Sequence, residues 1–255
     1  MVDLSIAIVA YKDNGDVEKA IASIAAYTPK DLSKVLYIID NSANETGLKD
    51  LQARFDFVKY ICTGKNLGFG GGHNYVLNML NSKYHAIINP DIVLQNDAFS
   101  CLLRYMEEHR DVKMTVPKLT DESGEIIKAY RRELTVFDMF IRMFIKKGFN
   151  KRRDYHTMQD MDYSKPFRVP FAQGSFLVID TAFFKELKGF DERFFLYMED
   201  ADLCRRVNEV SSLFYVPEAV AVHKWEKGSH KDNKLFKLHV SSMVKYFMKW
   251  GFKLF

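Results

Sequence analysis

Apolar and polar positions along the chain alternate between two patterns. Leu4-Ser5-Ile6-Ala7-Ile8-Val9-Ala10, Val35-Leu36-Tyr37-Ile38-Ile39 and Tyr84-His85-Ala86-Ile87-Ile88 are near-continuous apolar runs, the pattern of strands covered on both faces. Between them, apolar residues recur every three or four positions. Val17, Ala20, Ile21 and Ile24 follow a polar turn at 13–16; Leu48, Leu51 and Phe55 suggest a short helix; Phe99, Leu102, Leu103 and Met106 mark one face of a helix over 97–108. Phe57 to Ile61 reads as a further short strand, leading into a glycine-rich loop and a helix from about His73 to Leu80. Strand and helix alternating at this spacing predict right-handed crossovers and an α/β fold with a mostly parallel sheet.

Beyond Val112 the alternation loosens. Val112 to Lys118 reads as a strand, Ser123-Gly124-Glu125 as a hairpin turn, and Leu134 to Ile145 as a helix with basic flanks. Lys146 to Lys165 is charged with little periodicity and reads as a mobile loop. Val169 to Ile179 reads as a strand feeding a helix over 181–187. An aromatic connection, Gly189 to Tyr197, enters a helix near Glu199, and Leu213–Pro217 and Ala219–His223 read as two short strands. From Phe236, the residues Val240, Met243, Phe247, Trp250 and Leu254 share one helical stripe beside Lys237, Lys245, Lys249 and Lys253. That profile suits a helix in a membrane interface and equally one docked on the core with snorkelling lysines.

Composition narrows the class. With 255 residues and 47% hydrophobic content, the chain can bury one substantial core. A net charge of +4, without an aromatic-and-basic repeat, speaks against nucleic acid. Cys62, Cys101 and Cys204 are too scattered for a disulfide framework or a thiolate metal site and fit a reducing cytosol. There is no signal-like leader and no run near the roughly 18 apolar residues of a membrane span, so the expectation is a soluble or peripheral protein.

Several strand ends carry candidate chemistry. Asn89-Pro90-Asp91 halts an apolar strand and presents one acid where open α/β sheets bind ligands; Asp91 there can hold a metal, although the tripeptide is also good turn chemistry. The run Gly64-Lys65-Asn66-Leu67-Gly68-Phe69-Gly70-Gly71-Gly72-His73-Asn74 suits backbone approach to a diphosphate, or a tight structural turn; it is neither a dinucleotide fingerprint nor a P-loop. Asp40 could accept from a pyrimidine imide or a ribose, or cap its own turn, and Tyr11 could stack on a base or pack at the rim. Glu199-Asp200-Ala201-Asp202 followed by Arg205-Arg206 matches a helix dipole, with Asp202 and Arg206 paired four apart. The aromatic wall before these acids also suits a carboxylate tuned as a general base. His223, at a strand end, reads by itself as a satisfied polar edge residue; paired with Asp91 it would complete a carboxylate and imidazole set that suits Mn²⁺.

Taken in order, the first strand with Tyr11, Ile39-Asp40-Asn41-Ser42, Asn66 to Asn74, Asn89-Pro90-Asp91, Gln173-Gly174-Ser175-Phe176-Leu177, Phe194 to Arg206 and Tyr215-Val216-Pro217-Glu218-Ala219 before His223 resemble the inverting GT-A glycosyltransferases of family two, closest to bacterial rhamnosyltransferases of cell-surface polysaccharide assembly. The resemblance runs from about residue 4 to 230. It implies a GT-A fold over 1–232, nucleotide-binding to about 111 and acceptor-binding from about 112, with 233–255 as a basic amphipathic helix. It implies that Ala10, Tyr11 and Asp40 hold base and ribose, and that Asn66, Gly68, Phe69, Gly70 and Asn89 lie near the sugar and diphosphate. Asp91 and His223 would hold Mn²⁺ or Mg²⁺, although Asn89 stands where the family's Asp-x-Asp motif has its first acid. Asp200 would be the catalytic base, with Glu199, Asp202, Gly174 and Ser175 on the acceptor side. The implied partners are a nucleotide-sugar donor, dTDP-rhamnose or a UDP-hexose, and a glycan or polyprenyl-linked acceptor at the inner face of the plasma membrane; a homodimer is left open. A nucleotidyltransferase would want a basic glycine-rich signature after the first strand, which is absent, and a silent sugar-binding module would bind donor without releasing nucleoside diphosphate.

Overall fold

The computed structural model describes residues 1–12, 15–145, 147–224 and 233–255. Part of the expected polar turn at 13–16 and most of the polar stretch after Lys224 lie outside the described residues, as does the boundary expected at 232.

The chain begins with strand β1 (Val2–Ala10), helix α1 (Asp16–Tyr27), β2 (Lys34–Asp40), a 3₁₀ turn running into the short α2 (Leu51–Arg54), and β3 (Val58–Cys62). It continues through α3 (Gly68–Tyr75), β4 (Ser82–Ile88), β5 (Ile92–Leu94), α4 (Ala98–Glu108) and β6 (Val112–Thr120). Then come β7 (Tyr130–Arg131), α5 (Val136–Phe144), α6 (Asn150–His156), β8 (Phe167–Arg168), β9 (Phe171–Ala172), β10 (Phe176–Asp180) and α7 (Thr181–Glu186). The last elements are α8 (Glu199–Val210), β11 (Ser212–His223) and α9 (Asn233–Trp250).

One sheet runs in the order β3-β2-β1-β4-β10-β6-β11-β5, with β8 beside β11; β7 and β9 form a separate ribbon. The first four strands are mutually parallel, β10 is antiparallel to both its neighbours, and β11 is parallel to β6. The apolar runs supply the centre, where Ile6, Ile8, Ile38, Ala86 and Ile87 are wholly buried. Two reversals across β10 leave β6 and β11 running the same way as β4. The C-terminal ends of β1, β2, β4 and β11, and the N-terminal end of β10, therefore share one sheet edge. That edge is where an open sheet of this kind binds ligands.

Four elements depart from the expectations. The glycine run is not a loop before a helix: Gly68 already starts α3. A Cβ on Gly68, whose φ is +75°, would lie 2.0 Å from the Phe195 carbonyl oxygen, so glycine lets this helix press against the aromatic connection. The segment expected to be one strand over 169–179 breaks into β9 and β10, and the two short strands expected over 213–223 are one strand. Its register shifts between Val216 and Val220, a bulge that accommodates Pro217. The segment expected as a mobile loop contains α6, held by Arg152 Nε to Asp138 Oδ1 at 2.6 Å, and beyond the helix a two-pronged Arg132–Asp160 pair at 2.8 and 2.9 Å fixes the chain.

Helix α9 docks on the core, the second of the two readings open for it. Tyr246 and Phe247 are buried and Met243 and Trp250 pack against the main cluster. Ser242 Oγ donates to the Leu196 carbonyl at 2.9 Å, and Lys245 Nζ to that of Arg193 at 2.8 Å. Of the expected stripe, only Leu254 is well exposed. No helix among the described residues is long and apolar enough to cross a membrane.

Candidate active site

Asp200 reaches the sheet edge from the first turn of α8. The chain enters that helix through Tyr197 and Met198, with φ of 67° and 72°, a left-handed pair that is uncommon for residues other than glycine. Such strain persists only where the surroundings fix it, and it often marks a functional turn. Asp200 Oδ2 accepts from Gly174 N–H at 3.1 Å and Oδ1 from Ala201 N–H at 2.8 Å. A Cβ on Gly174 would stand 3.3 Å from that of Asp200 and 3.2 Å from the Phe69 ring, so glycine here permits the carboxylate's close approach.

Burial raises the pKa of Asp200; the two amide bonds and the positive charges of Arg131 and Arg142 oppose that rise without cancelling it. Glu199 is pushed further, well above the usual carboxylate range, by burial and then by the charge of Asp200. Its Oε2 is buried without a hydrogen-bond partner. Both carboxyls of this neighbouring pair are thus held above the usual range, Glu199 the further, and burial beside an aromatic wall favours the protonated form of each.

The register of β4 against β10 connects this acid to the other. Ile88 lies opposite Phe176, and just beyond, Asn89 N–H donates to the Ser175 carbonyl at 2.8 Å. Gly174, which holds Asp200, and Asn89, two residues before Asp91, thus meet across one strand pair. Ser175 Oγ is buried beside them without a partner. Asp91 Oδ2 lies 3.2 Å from His223 Nε2, brought there because His223 pairs with Ile92 in the β11–β5 register. The His223 side chain is 5% exposed and that of Asp91 22%, so the carboxylate faces outward.

One carboxylate and one imidazole fit a borderline-hard divalent ion whose other positions go to water or phosphate oxygens. The neutral Asn89 leaves the pair one charge short. Among the described residues no third histidine, cysteine or acid joins them.

The other expected donor-side residues are spread along the same edge. Ala10 and Asp40 are paired in register at the ends of β1 and β2, and Tyr11, just beyond, is 52% exposed. Asp40 is buried and already bonded: Ser42 N–H reaches Oδ1 at 3.0 Å, while Thr46 Oγ1 and Tyr60 OH reach Oδ2 at 2.6 and 2.8 Å. Burial pushes its pKa up, but these bonds prevail and the net shift is downward. Asn66 Oδ1 accepts from Gly68 N–H at 2.9 Å, and Phe69 N–H donates to the Phe195 carbonyl at 3.1 Å. Those two amides are committed within the protein. Gly68 and Gly70 are buried, and a Cβ on Gly70 would lie 2.9 Å from that of Phe190.

Asp202 requires a correction. Expected on the acceptor side, it is wholly buried, with Oδ2 bonded to Arg206 Nε at 2.8 Å and Oδ1 to Lys249 Nζ at 2.5 Å and Trp250 Nε1 at 2.8 Å. It fastens α9 to α8. Sequence reasoning in turn missed Arg131, which acts on Asp200 through its charge from β7; a two-residue strand in a polar setting carries no periodic signal.

A family model for glycosyl transferase family 2 matches residues 5–187. Rhamnosyltransferase WbbL of Escherichia coli (strain K12) is 28% identical over 222 residues, 82% of this chain and 80% of that protein. The N-acetylglucosaminyl-diphospho-decaprenol L-rhamnosyltransferase of Mycobacterium tuberculosis (strain ATCC 25618 / H37Rv) is 24% identical over 243 residues, 90% of this chain and 78% of that protein. Among solved structures, GalNAc-T7 with UDP, GalNAc and Mn²⁺ superposes with a TM-score of 0.68 at 17% identity, over 89% of this chain but only 45% of that one. Mannosyltransferase PcManGT from Pyrobaculum calidifontis, in complex with GDP-Man and Mn²⁺, gives 0.67 at 14% identity, over 98% of this chain and 66% of that one. These two likenesses establish the fold, which is the GT-A glycosyltransferase fold.

Proposed function

Because the chain belongs to glycosyl transferase family 2 and is thereby an inverting enzyme of the hexosyltransferase type, we propose that it transfers rhamnose from dTDP-rhamnose to a hydroxyl of a lipid-linked glycan in bacterial surface polysaccharide synthesis. The choice of sugar is supported by two relatives, each called a rhamnosyltransferase, that align over most of this chain. The single observation that carries the chemistry is the meeting of two acids' supports across the β4–β10 pair. Gly174 N–H holds Asp200, and the next residue's carbonyl holds Asn89, two residues before Asp91.

In this reading Asp200 removes the proton of the acceptor hydroxyl as its oxygen bonds to the anomeric carbon from one side. The bond to the diphosphate breaks on the other, so a single displacement inverts the centre. Burial, which raises the basicity of Asp200, and Gly174 N–H, which fixes its orientation, both serve that step. Asp91 and His223 would hold a divalent cation, which supplies charge neutralisation to the departing diphosphate. Asn89 lies beside them, in reach of the donor. Tyr11, exposed at the edge, offers a stacking face for the base.

Seating on the cytoplasmic face of the membrane belongs to the same reading. It is supported by Phe140, Phe144 and Phe255, which are 49%, 57% and 72% exposed, near a basic segment at 147–153. The experiment is transfer assayed with dTDP-rhamnose and UDP-hexoses, with Mn²⁺ and after chelation, using a diphosphate-linked N-acetylglucosaminyl lipid. Rhamnose transfer with inverted product is expected; exclusive use of a UDP-hexose would overturn the donor assignment.

A further inference from the structure

A cavity of about 1100 Å³ opens beside the site, bounded at one end by His223 and Lys224 and elsewhere by Arg131, Arg142, Arg153 and His156. Arg131 is 4% exposed, and its Nε and Nη1 have no hydrogen-bond partner. Its guanidinium rests 5.3 Å from the centre of the Phe171 ring. A buried cation without an acceptor is costly, and folded proteins rarely leave one unless something external completes it.

The nearby acids do not complete it. Asp200 is bonded to Gly174 and Ala201, and Asp138 to Arg152 and Thr135. At the rim, Asp121 accepts from the amides of its own turn, Glu122 lies 4.0 Å from Lys224 Nζ, and Glu125 lines the outer wall. His156 Nε2 is also buried without a partner. Asp138, the buried acid in the lining, is taken up by Arg152 and Thr135, so Arg131 is left without an acceptor of its own.

A second observation gives that anion a tail. Ile141, Met143 and Ile145 line the cavity, while Phe140 and Phe144 of the same helix are exposed. Phe144 lies 6.3 Å from Phe236, and Phe137 lies 5.3 Å from the exposed Phe255, so aromatic rings gather on the same helix that gives the cavity Ile141 and Met143. A charged pocket among arginines, on the helix that also carries an exposed aromatic face, is the imprint of an anionic amphiphile.

Resting on the transferase reading above, we propose that this cavity binds the diphosphate of a lipid-linked acceptor, with Arg131 as its buried contact and the aromatic face of α5 as the bed for the first isoprenoid units. The donor's diphosphate has the same chemistry but would lie at the Asp91–His223 end. Arg131 stands instead in β7, paired with β9 immediately before the Gly174 turn that holds Asp200. An acceptor anchored there presents its sugar to the base.

The test titrates farnesyl diphosphate into the full chain by calorimetry, with and without saturating dTDP, for the wild type, Arg131→Met and the double variant Phe140→Ser/Phe144→Ser. Farnesyl diphosphate should bind in the presence of dTDP, at least tenfold more weakly to Arg131→Met, whose dTDP affinity is unchanged. Inorganic pyrophosphate should bind less tightly than farnesyl diphosphate, and the double variant should narrow that difference. Displacement of farnesyl diphosphate by dTDP would assign the arginines to the donor. Equal binding to wild type and Arg131→Met, or none to wild type, would overturn the site. The wild-type arms decide the matter if the arginine variant fails to fold. Failure of the transferase reading shows differently, as a protein that binds no nucleotide sugar whatever farnesyl diphosphate does.

Discussion

Replacing Asp202 by Asn separates anchoring from acceptor binding. The carboxylate is wholly buried and joins three donors, while its partners Arg206 and Lys249 keep 16% and 20% side-chain exposure. Breaking a buried ion pair from one side costs about 3–5 kcal/mol. Here Arg206 retains the carbonyls of Leu187 and Gly189, both at 2.8 Å, and Lys249 retains Asp191 at 2.8 Å, so the loss belongs at the low end. We expect about 3 kcal/mol in urea unfolding, or a midpoint lowered by about 6–12 °C, since each kcal/mol moves a chain of this size by about 2–4 °C. Lys249→Met leaves Asp202 bonded to Arg206 and Trp250 and should cost about half as much. At temperatures where Asp202→Asn is folded, its KM for the acceptor should match the wild type. Stability unchanged within about 1 kcal/mol together with a raised acceptor KM would refute the anchoring role.

Further outcomes follow from the packing and from the buried ionisable groups. Gly68→Ala should cost more than about 3 kcal/mol and abolish transfer, because its Cβ would meet the Phe195 carbonyl at 2.0 Å. Gly64→Ala, equally left-handed at φ +71° but with open space around it, should cost only about 1 kcal/mol by the same unfolding measurement. His85 is wholly buried, its Nδ1 is 2.8 Å from Ser5 Oγ, and burial depresses its pKa to about 3. Below its unfolded value near 6.5 the unfolded chain takes up a proton that the folded chain refuses. Stability should therefore fall as the pH drops from about 6.5 toward 4, by up to about 1.4 kcal/mol per unit from this group. Urea unfolding of His85→Gln at pH 7, 6 and 5 should show that slope reduced, and equal slopes would contradict the assignment. The acidic limb of kcat/KM should lie above the ordinary aspartate range, because burial raises Asp200; a limb at or below that range would count against Asp200 as the titrating base.

The features legible in the sequence were those set by local periodicity. The apolar runs of β1, β2 and β4 and the one-sided faces of α1 and α4 are requirements of burial on two faces or one, and the edge residues Ala10, Asp40 and Asn89 follow from where those runs stop. What was not legible depends on partners distant in the chain. Gly68 and Gly70 look like a loop until Phe195 and Phe190 stand against them; composition cannot distinguish an amide open to phosphate from one bonded to a carbonyl more than a hundred residues away. Asp202 sits in the same acidic cluster as Asp200, two residues on: the first meets Lys249 and Trp250 of α9, the second meets Gly174. Arg131 was invisible because, next to Arg132 in the sequence, it becomes unusual only once its burial is known.

The central claim is that Asp200 is the base that activates the acceptor, and single-turnover transfer by Asp200→Asn tests it most directly. Asparagine keeps the shape and can still accept from Gly174 N–H, so donor affinity by calorimetry should be unchanged while the rate of transfer falls by about 10²–10⁴. Near-normal turnover with donor still bound would contradict the account.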